Sequence, residues 1–410
     1  MKTERITTDI SRAAATIKKG GLIAVPTETV YGLAGNGLDH EAVEKIYEVK
    51  GRPAVKPLSL MVPGPEAIDQ YCRDIPEEAR FLAERFWPGP LTIVLKAKDH
   101  VPPIVRAGGE TVGLRCPDHP LTLALLKEAG LPLAAPSANP SGAPSPKDAQ
   151  TVLDYFDGQI EVVLDGGPCG IGKESTIISM AEKPFRILRR GALAEDELAD
   201  DLVGRMTIIG ISGGSGGGKT TALNVLRELG ALVIDADAVY HDLLENDTAL
   251  LEAISGRFPG TVNEDGLDRK ALAGRVFCDP EALHALNAIT HPAVIRETTD
   301  RLRAYAMEGG ALAAIDAIGL IGSGLESLCD YTAAVTAPRE SRIERIMLRD
   351  GLDRARAEAR IDAQPPDDYF VSHCSAVLPN DSTEKAFSIL CKQIFLEVVK
   401  HGRVEKQAVL

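Results

Sequence analysis

Thr207-Ile208-Ile209-Gly210-Ile211-Ser212-Gly213-Gly214-Ser215-Gly216-Gly217-Gly218-Lys219-Thr220-Thr221 decides how half of this chain is read. The apolar run at its start predicts a strand over Thr207–Ser212, and the pattern of residues 221–229 predicts a helix. The glycines between them fall on a strand-to-helix turn, and residues 213–220 fit G-x-x-x-x-G-K-[ST]. Such a loop curls until successive N–H groups face a phosphate chain, and the helix N-terminus adds its positive dipole end. Gly213, Gly214, Gly216, Gly217, Gly218, Lys219, Thr220 and Thr221 are therefore expected to bind ATP. Lys219 would serve the β- and γ-phosphates, and the Thr220 hydroxyl would serve Mg²⁺. A glycine-rich turn carrying a chance lysine is the bland alternative, and the agreement of strand, spacing and helix argues against it.

The next strand, over residues 232–234, ends in Asp235-Ala236-Asp237. This puts two carboxylates at the carboxyl end of a strand, where open α/β sheets bind ligands. Asp237 is the candidate general base and Asp235 a candidate metal ligand. Either residue could equally be the N-cap of a helix over residues 238–244. Further strands over 313–315 and 332–335 alternate with helices, so an α/β domain with a doubly wound parallel sheet is expected. Upstream, the acidic stretch Ala194 to Asp201 and then Gly204-Arg205 form a seam, and Met206 reads as the old start of a separate protein. Two domains follow, 1–205 and 206–410.

The first domain alternates short strands (21–25, 91–95, 111–114, 161–164) with helices (42–50, 76–86) and proline-rich corners, which suggests α+β with a twisted mixed sheet. Its polar clusters lie at element ends. Lys50 and Arg52 close a helix and could offer two cations to one phosphate chain. Ser137, Asn139, Ser141, Ser145, Ser175 and Thr176 offer neutral donors on loops stiffened by proline. The set suits a charged small ligand and shows no nucleophile–His–Asp logic. Taken singly, Lys-Gly-Arg reads as a basic helix end and Ser-Ala-Asn as turn chemistry.

Across its 410 residues the chain is 44% apolar and 25% charged, enough for real cores. Its net charge of −14, negative in both halves, disfavours salt-driven adhesion to nucleic acid or anionic lipid. No apolar stretch is long enough for a membrane span, and the first residues lack a secretory signal. Seven scattered cysteines, never spaced C-x-x-C, argue against a disulfide framework or a cysteine zinc site. A cytoplasmic protein is expected.

Residues 210–244, with Leu267 to Leu272, Ile289-Thr290-His291-Pro292, Arg342 to Gly351 and Arg360-Ile361-Asp362-Ala363-Gln364, resemble the dephospho-CoA kinase family over about residues 206–387. The resemblance implies transfer of the ATP γ-phosphate to the ribose 3′-hydroxyl of dephospho-CoA, with Mg²⁺ accompanying ATP. Asp237 falls on the general base, and Lys219 and Thr220 on the triphosphate and metal. Arg345 and Arg349 would reach the transferring phosphoryl group from a helical lid. His291 reads either as an acceptor contact or as a helix-end histidine. One departure stands out: Gly322 occupies the place of an expected glutamate, and Asp316 is a candidate substitute.

In the first domain, PTETVYGLAGN (26–36), KGRPAVKPLSLMV (50–62), WPGPLTIVL (87–95), TVGLRCPDHP (111–120), PLAAPSANPSGAPSP (132–146), GKESTII (172–178) and ILRRGAL (187–193) resemble the YrdC-type threonylcarbamoyl-AMP synthase family. That likeness implies that ATP, L-threonine and bicarbonate give threonylcarbamoyl adenylate and diphosphate, for threonylcarbamoyladenosine formation in tRNA. Lys50, Arg52, Thr111, Ser137, Asn139, Ser145 and Arg189 fall on ATP positions. Tyr31, Arg115, Ala135 and Ser175 fall on threonine positions. No stable nucleic-acid binding is required; a weak tRNA contact and partner proteins of the tRNA threonylcarbamoyl-transfer machinery are the expected macromolecular associations. The rival expectation makes the first domain a non-catalytic nucleotide- or RNA-binding module on a P-loop kinase of another small hydroxyl acceptor.

Overall fold

The computed structural model describes residues 2–408 except 264, 265 and 278. Cys278 thus lies outside the described residues, and the described cysteines are unpaired. The chain divides into two compact units, one of Met1–Leu202 with Met307–Gly309, the other of Val203–Ala306 with Gly310–Leu410. Among the described residues no helix is long and apolar enough to cross a membrane.

The first unit is built on a mixed sheet. Its strands run in the order Glu4–Ile6, Val162–Leu164, Ile23–Val25, Gly32–Asn36, Leu133–Ala134, Ser59–Met61, Thr111–Arg115, Leu91–Ala97, Thr176–Ser179 and Arg186–Arg189, with Cys72–Arg73 paired to Leu91–Ala97. Thr176–Ser179 runs parallel to Leu91–Ala97, which runs antiparallel to Thr111–Arg115. Ile17, Ile23, Val25, Leu125, Leu133 and Leu164 pack one core against this sheet. Period-two burial in Leu91–Ala97 and near-continuous burial in Ile23–Val25 follow from covering one face or both.

The second unit holds five parallel strands ordered Leu232–Asp235, Leu312–Asp316, Thr207–Ser212, Tyr331–Thr336 and Ala376–Pro379. Thr207–Ser212 is buried along its whole length, as a central parallel strand must be. Ile209, Ile211, Leu223, Leu226, Val335, Phe387 and Phe395 form its core. A helical lobe packs on Leu250, Ile254, Phe258 and Leu286, and the lid pair Arg339–Asp350 and Arg354–Asp362 packs on Ile343, Ile346, Ala357 and Ile361. The expected parallel α/β sheet is present, and the two helices stand where the lid is expected.

Two elements differ from the sequence reading. The short edge strand Ala376–Pro379 buries only Leu378, so it carries almost no apolar pattern. Pro292 lies inside the helix Pro280–Met307 rather than at its end. A proline there costs one i to i−4 bond, which is why residue 291 reads as a helix boundary.

Candidate functional sites

In the first unit a cavity of about 200 Å³ opens among the ends of several strands. Its polar lining includes Arg52, Ser59, Thr92, Arg115, Ser137, Glu174, Ser175 and Arg189, with Tyr31 and Ala135 on its wall. Arg115 ends its strand and is almost fully buried; its Nη2 donates to Glu28 Oε1 at 2.7 Å and to Thr29 Oγ1 at 2.8 Å. A buried guanidinium held by a single carboxylate keeps donors fixed in place for a second anion. Ser175 is also tied in: its hydroxyl meets Thr92 Oγ1 at 2.9 Å and Arg189 Nη2 at 3.0 Å. Arg52 donates to the carbonyls of Lys56 and Pro57 and faces the cavity.

Lys50 departs from expectation. It is 3% exposed, and its ammonium donates to the carbonyl oxygens of Ser137 and Asn139 and, at 3.4 Å, to Asn139 Oδ1. Burial, with the Arg52 charge adding to it, pushes its pKa down to about 8. Lys50 therefore fastens the 137–139 segment, and of the Lys50–Arg52 pair it is Arg52 that lines the cavity with Arg115 and Arg189. Asn139 likewise serves a turn, donating to Ala143 O at 2.6 Å. Ser145 gives its hydroxyl to Glu174 at 2.9 Å. The Tyr31 hydroxyl donates to Gly167 O at 2.7 Å, and the residue lines the cavity. Thr111 is not brought in: it begins the strand whose far end carries Arg115, four residues and about 13 Å away. Glu28, Thr92 and Glu174 join the site although their motifs assign them no role, because a lone carboxylate or threonine in a motif does not reveal which group it faces.

In the second unit the glycine loop follows Thr207–Ser212 and leads into the helix Lys219–Glu228. Gly213 has φ +133°, and a side chain there would run into the carbonyl of Val335. Lys219 Nζ donates to Gly213 O at 2.9 Å, and its pKa is lowered by burial, opposed by the charges of Asp316 and Asp237. Thr220 and Thr221 lie in the first turn of the helix, where the Thr221 N–H bonds Gly218 O at 3.1 Å. Asp235 caps its helix by accepting from Ala238 N–H at 3.0 Å. Asp237, in the first turn of that helix, is held above the usual carboxylate range by burial and then by Asp235.

Asp316 lies directly opposite Asp235 in the sheet register. Its Oδ1 is buried without a partner among the described residues, and burial raises its pKa to about 6. A buried, unpartnered carboxylate oxygen within reach of the charges of Asp235 and Asp237 is a donor for a hard dication. No group of three His, Cys, Asp or Glu side chains among the described residues forms a complete metal cage. That combination fits Mg²⁺, which keeps most of its shell as water and phosphate oxygen.

Asp237 shares a cavity of about 240 Å³ with Tyr240, Asn287, Thr290, His291 and Ser323. His291 thus faces the same space as Asp237, and burial lowers its pKa. Gly322 and Gly324 donate their N–H groups to Glu326, each at 2.8 Å, so a carboxylate four residues on organises this rim. Arg345 sits elsewhere than expected: its Nη1 donates to Gly216 O at 3.2 Å and Gly217 O at 3.3 Å, behind the loop. Arg349 is engaged with Asp350 at 2.7 Å. Arg349 nevertheless remains half-exposed, and its charge acts on Lys219 of the loop.

A family model described as telomere recombination (Sua5, YciO and YrdC) matches residues 15–191, and one described as dephospho-CoA kinase matches residues 207–386. A threonylcarbamoyl-AMP synthase of Bacillus subtilis is 48% identical over 190 residues, which are 46% of this chain and 55% of that protein. The chain thus spans about half the length of the first curated relatives it matches. A putative threonylcarbamoyl-AMP synthase of Mycobacterium tuberculosis is 35% identical over 47% of this chain and 88% of its own length. A dephospho-CoA kinase of Anaeromyxobacter dehalogenans is 44% identical over 45% of this chain and 88% of its own length. The chain therefore belongs to two families joined in one polypeptide, the threonylcarbamoyl-AMP synthases through its first unit and the dephospho-CoA kinases through its second.

Proposed function

We propose that the chain is a bifunctional enzyme with one catalyst in each unit. In the first, the amine of L-threonine takes up carbon dioxide from bicarbonate as a carbamate. A carbamate oxygen attacks the α-phosphorus of ATP, and diphosphate leaves. The protein's task is alignment and charge neutralisation in a cleft that protects a water-labile product. Arg52 and Arg189 would neutralise the polyphosphate, Arg115 and Ser175 would orient threonine, and Lys50 would hold the Ser137 segment under the nucleotide. The single observation that carries this reading is the convergence of Arg52, Arg115 and Arg189 with Ser137 and Ser175 on one cavity. Family membership of this unit speaks for catalysis over a bare binding module.

In the second unit the 3′-hydroxyl of dephospho-CoA would give its proton to Asp237 as its oxygen attacks the γ-phosphorus, with ADP as the leaving group. Lys219 and the loop N–H groups would hold the phosphates, and His291 would orient the acceptor. Mg²⁺, bound with ATP by Thr220 and the carboxylates of Asp235 and Asp316, would supply charge neutralisation of the triphosphate. The observation that carries this half is that Asp237 stands both beside the glycine loop's lysine and on the wall of an acceptor-sized cavity. Two assays on the purified chain test the pair: diphosphate release from ATP must require both threonine and bicarbonate, and ADP release must require dephospho-CoA. Threonine-independent release would sink the first reading, and phosphorylation of another alcohol in preference would sink the second.

A further inference from the structure

The lid grips the phosphate loop through bonds that the proposed reaction does not use. Arg342, 5% exposed, donates from Nε to Ser215 O at 3.0 Å and from Nη1 to Asp367 at 2.8 Å. Its Nη2 is buried without a partner among the described residues and lies against Gly214, where any side chain would collide with it. Gln364, just past the lid helix Arg354–Asp362, accepts the Ser215 N–H at Oε1 and donates from Nε2 to Ser215 Oγ, both at 2.8 Å. All three polar groups of Ser215 are therefore held by two side chains more than a hundred residues away. Arg345 and Asn380 take the next two carbonyls, with Asn380 Nδ2 donating to Gly217 O at 2.9 Å.

A trans peptide points its C=O and the following N–H in opposite directions. Carbonyls of Ser215, Gly216 and Gly217 drawn outward turn the next N–H groups inward. One of these, on Gly217, bonds Gly214 O at 3.1 Å, which leaves those of Gly216 and Gly218 facing the loop's interior. An anion-binding nest needs that arrangement, and backbone left to itself would satisfy those donors otherwise.

We infer that Gln364 and Arg342 are positioning residues of the phosphate cradle. By holding Ser215 they keep the loop in its anion-accepting curl before nucleotide arrives, with Arg342 itself held by Asp367. This rests on the reading that the loop takes ATP. Gln364 is half-buried, so its replacement leaves the core intact; Arg342→Lys is the second variant, keeping the charge without the fork.

The test is steady-state kinetics of ADP release with threonine and bicarbonate withheld. Gln364→Ala and Gln364→Met are expected to raise KM for ATP 10- to 30-fold. KM for dephospho-CoA should stay within twofold and the melting temperature within about 2 °C. If the bonds merely fasten the lid, KM for ATP stays within twofold, or both KM values and the melting temperature shift together; either result overturns the inference. Should the wild-type chain not phosphorylate dephospho-CoA, the acceptor reading fails by itself. The same variants are then compared in the Lys219-dependent affinity for a non-hydrolysable ATP analogue, where an unchanged affinity overturns the inference and a 10-fold loss supports it.

Discussion

Glu174 Oε2 lies 2.7 Å from Arg189 Nη1, and the charge of the same carboxylate also acts on Lys50 and Arg52. One acid thus acts on three cations, Arg52 and Arg189 lining a cavity proposed to receive a polyphosphate and Lys50 buried nearby, and it is the internal counter-ion that an incoming phosphate chain must displace. Glu174→Gln is therefore expected to tighten binding of inorganic diphosphate to the first unit about 3- to 10-fold at low salt, with the gain shrinking as salt screens it. Calorimetric titration at two ionic strengths checks this; weaker binding would show that Glu174 assists the phosphates instead.

Lys50 sets an alkaline limit. Burial pushes it down to about 8, so its charge is lost as pH rises through that value, and with it the firm hold on the Ser137 and Asn139 carbonyls. Threonine-dependent diphosphate release is expected to fall with a midpoint near pH 8. The stability effect has the opposite sign. Above that midpoint the folded protein has released a proton that the unfolded chain still binds, so the first unit becomes more stable between about pH 8 and the ordinary lysine range. A pH–rate profile set beside urea melts at the same pH values shows whether activity and stability diverge in this way.

Asp237 sets an acid limit on the other reaction. Burial, then Asp235, holds its carboxyl above the usual range, so it gains a proton earlier than a free aspartate as pH falls. Phosphoryl transfer should decline on the acid side above the ordinary aspartate range. Asp237→Asn should cost about 10²- to 10⁴-fold in kcat and abolish that limb while leaving ATP affinity within a few-fold. A variant that keeps wild-type kcat would move the general base elsewhere, with Asp316 the next carboxylate to examine.

Lys219→Ala should reduce ADP release at least 100-fold and leave threonine-dependent diphosphate release unchanged. The two candidate sites draw on different cores, Ile23 and Leu164 in one unit and Ile209 and Phe387 in the other. Loss of both activities in this variant would contradict separate catalysts.

The strands around the glycine loop were legible because Thr207–Ser212, Leu312–Asp316 and Tyr331–Thr336 are buried on both faces and read as unbroken apolar runs. Ala376–Pro379 was not, since an edge strand need bury only one side chain. Residue types that carry chemistry could be found in the motifs, but their direction could not. Lys50 and Arg345 look like free phosphate ligands in sequence, and only the fold shows their charges spent on main-chain carbonyls. Arg342 and Gln364 stand in stretches that resemble the kinase family, and their partner Ser215 lies too far along the chain for any spacing rule to connect them.

Gly322, which stands where an acid was expected, has φ +84°, and its N–H belongs to Glu326. The left-handed backbone there disfavours any side chain, whatever space surrounds it. Gly322→Ala should destabilise the second unit by about 1 kcal/mol in urea melts. Gly322→Glu should carry the same cost and place a second carboxylate beside Glu326, whose charge already acts on His291. Its KM for dephospho-CoA should rise or stay level. A fall in that KM would mean that the rim wants its acid at position 322, and that the two backbone bonds made by Glu326 do not replace it.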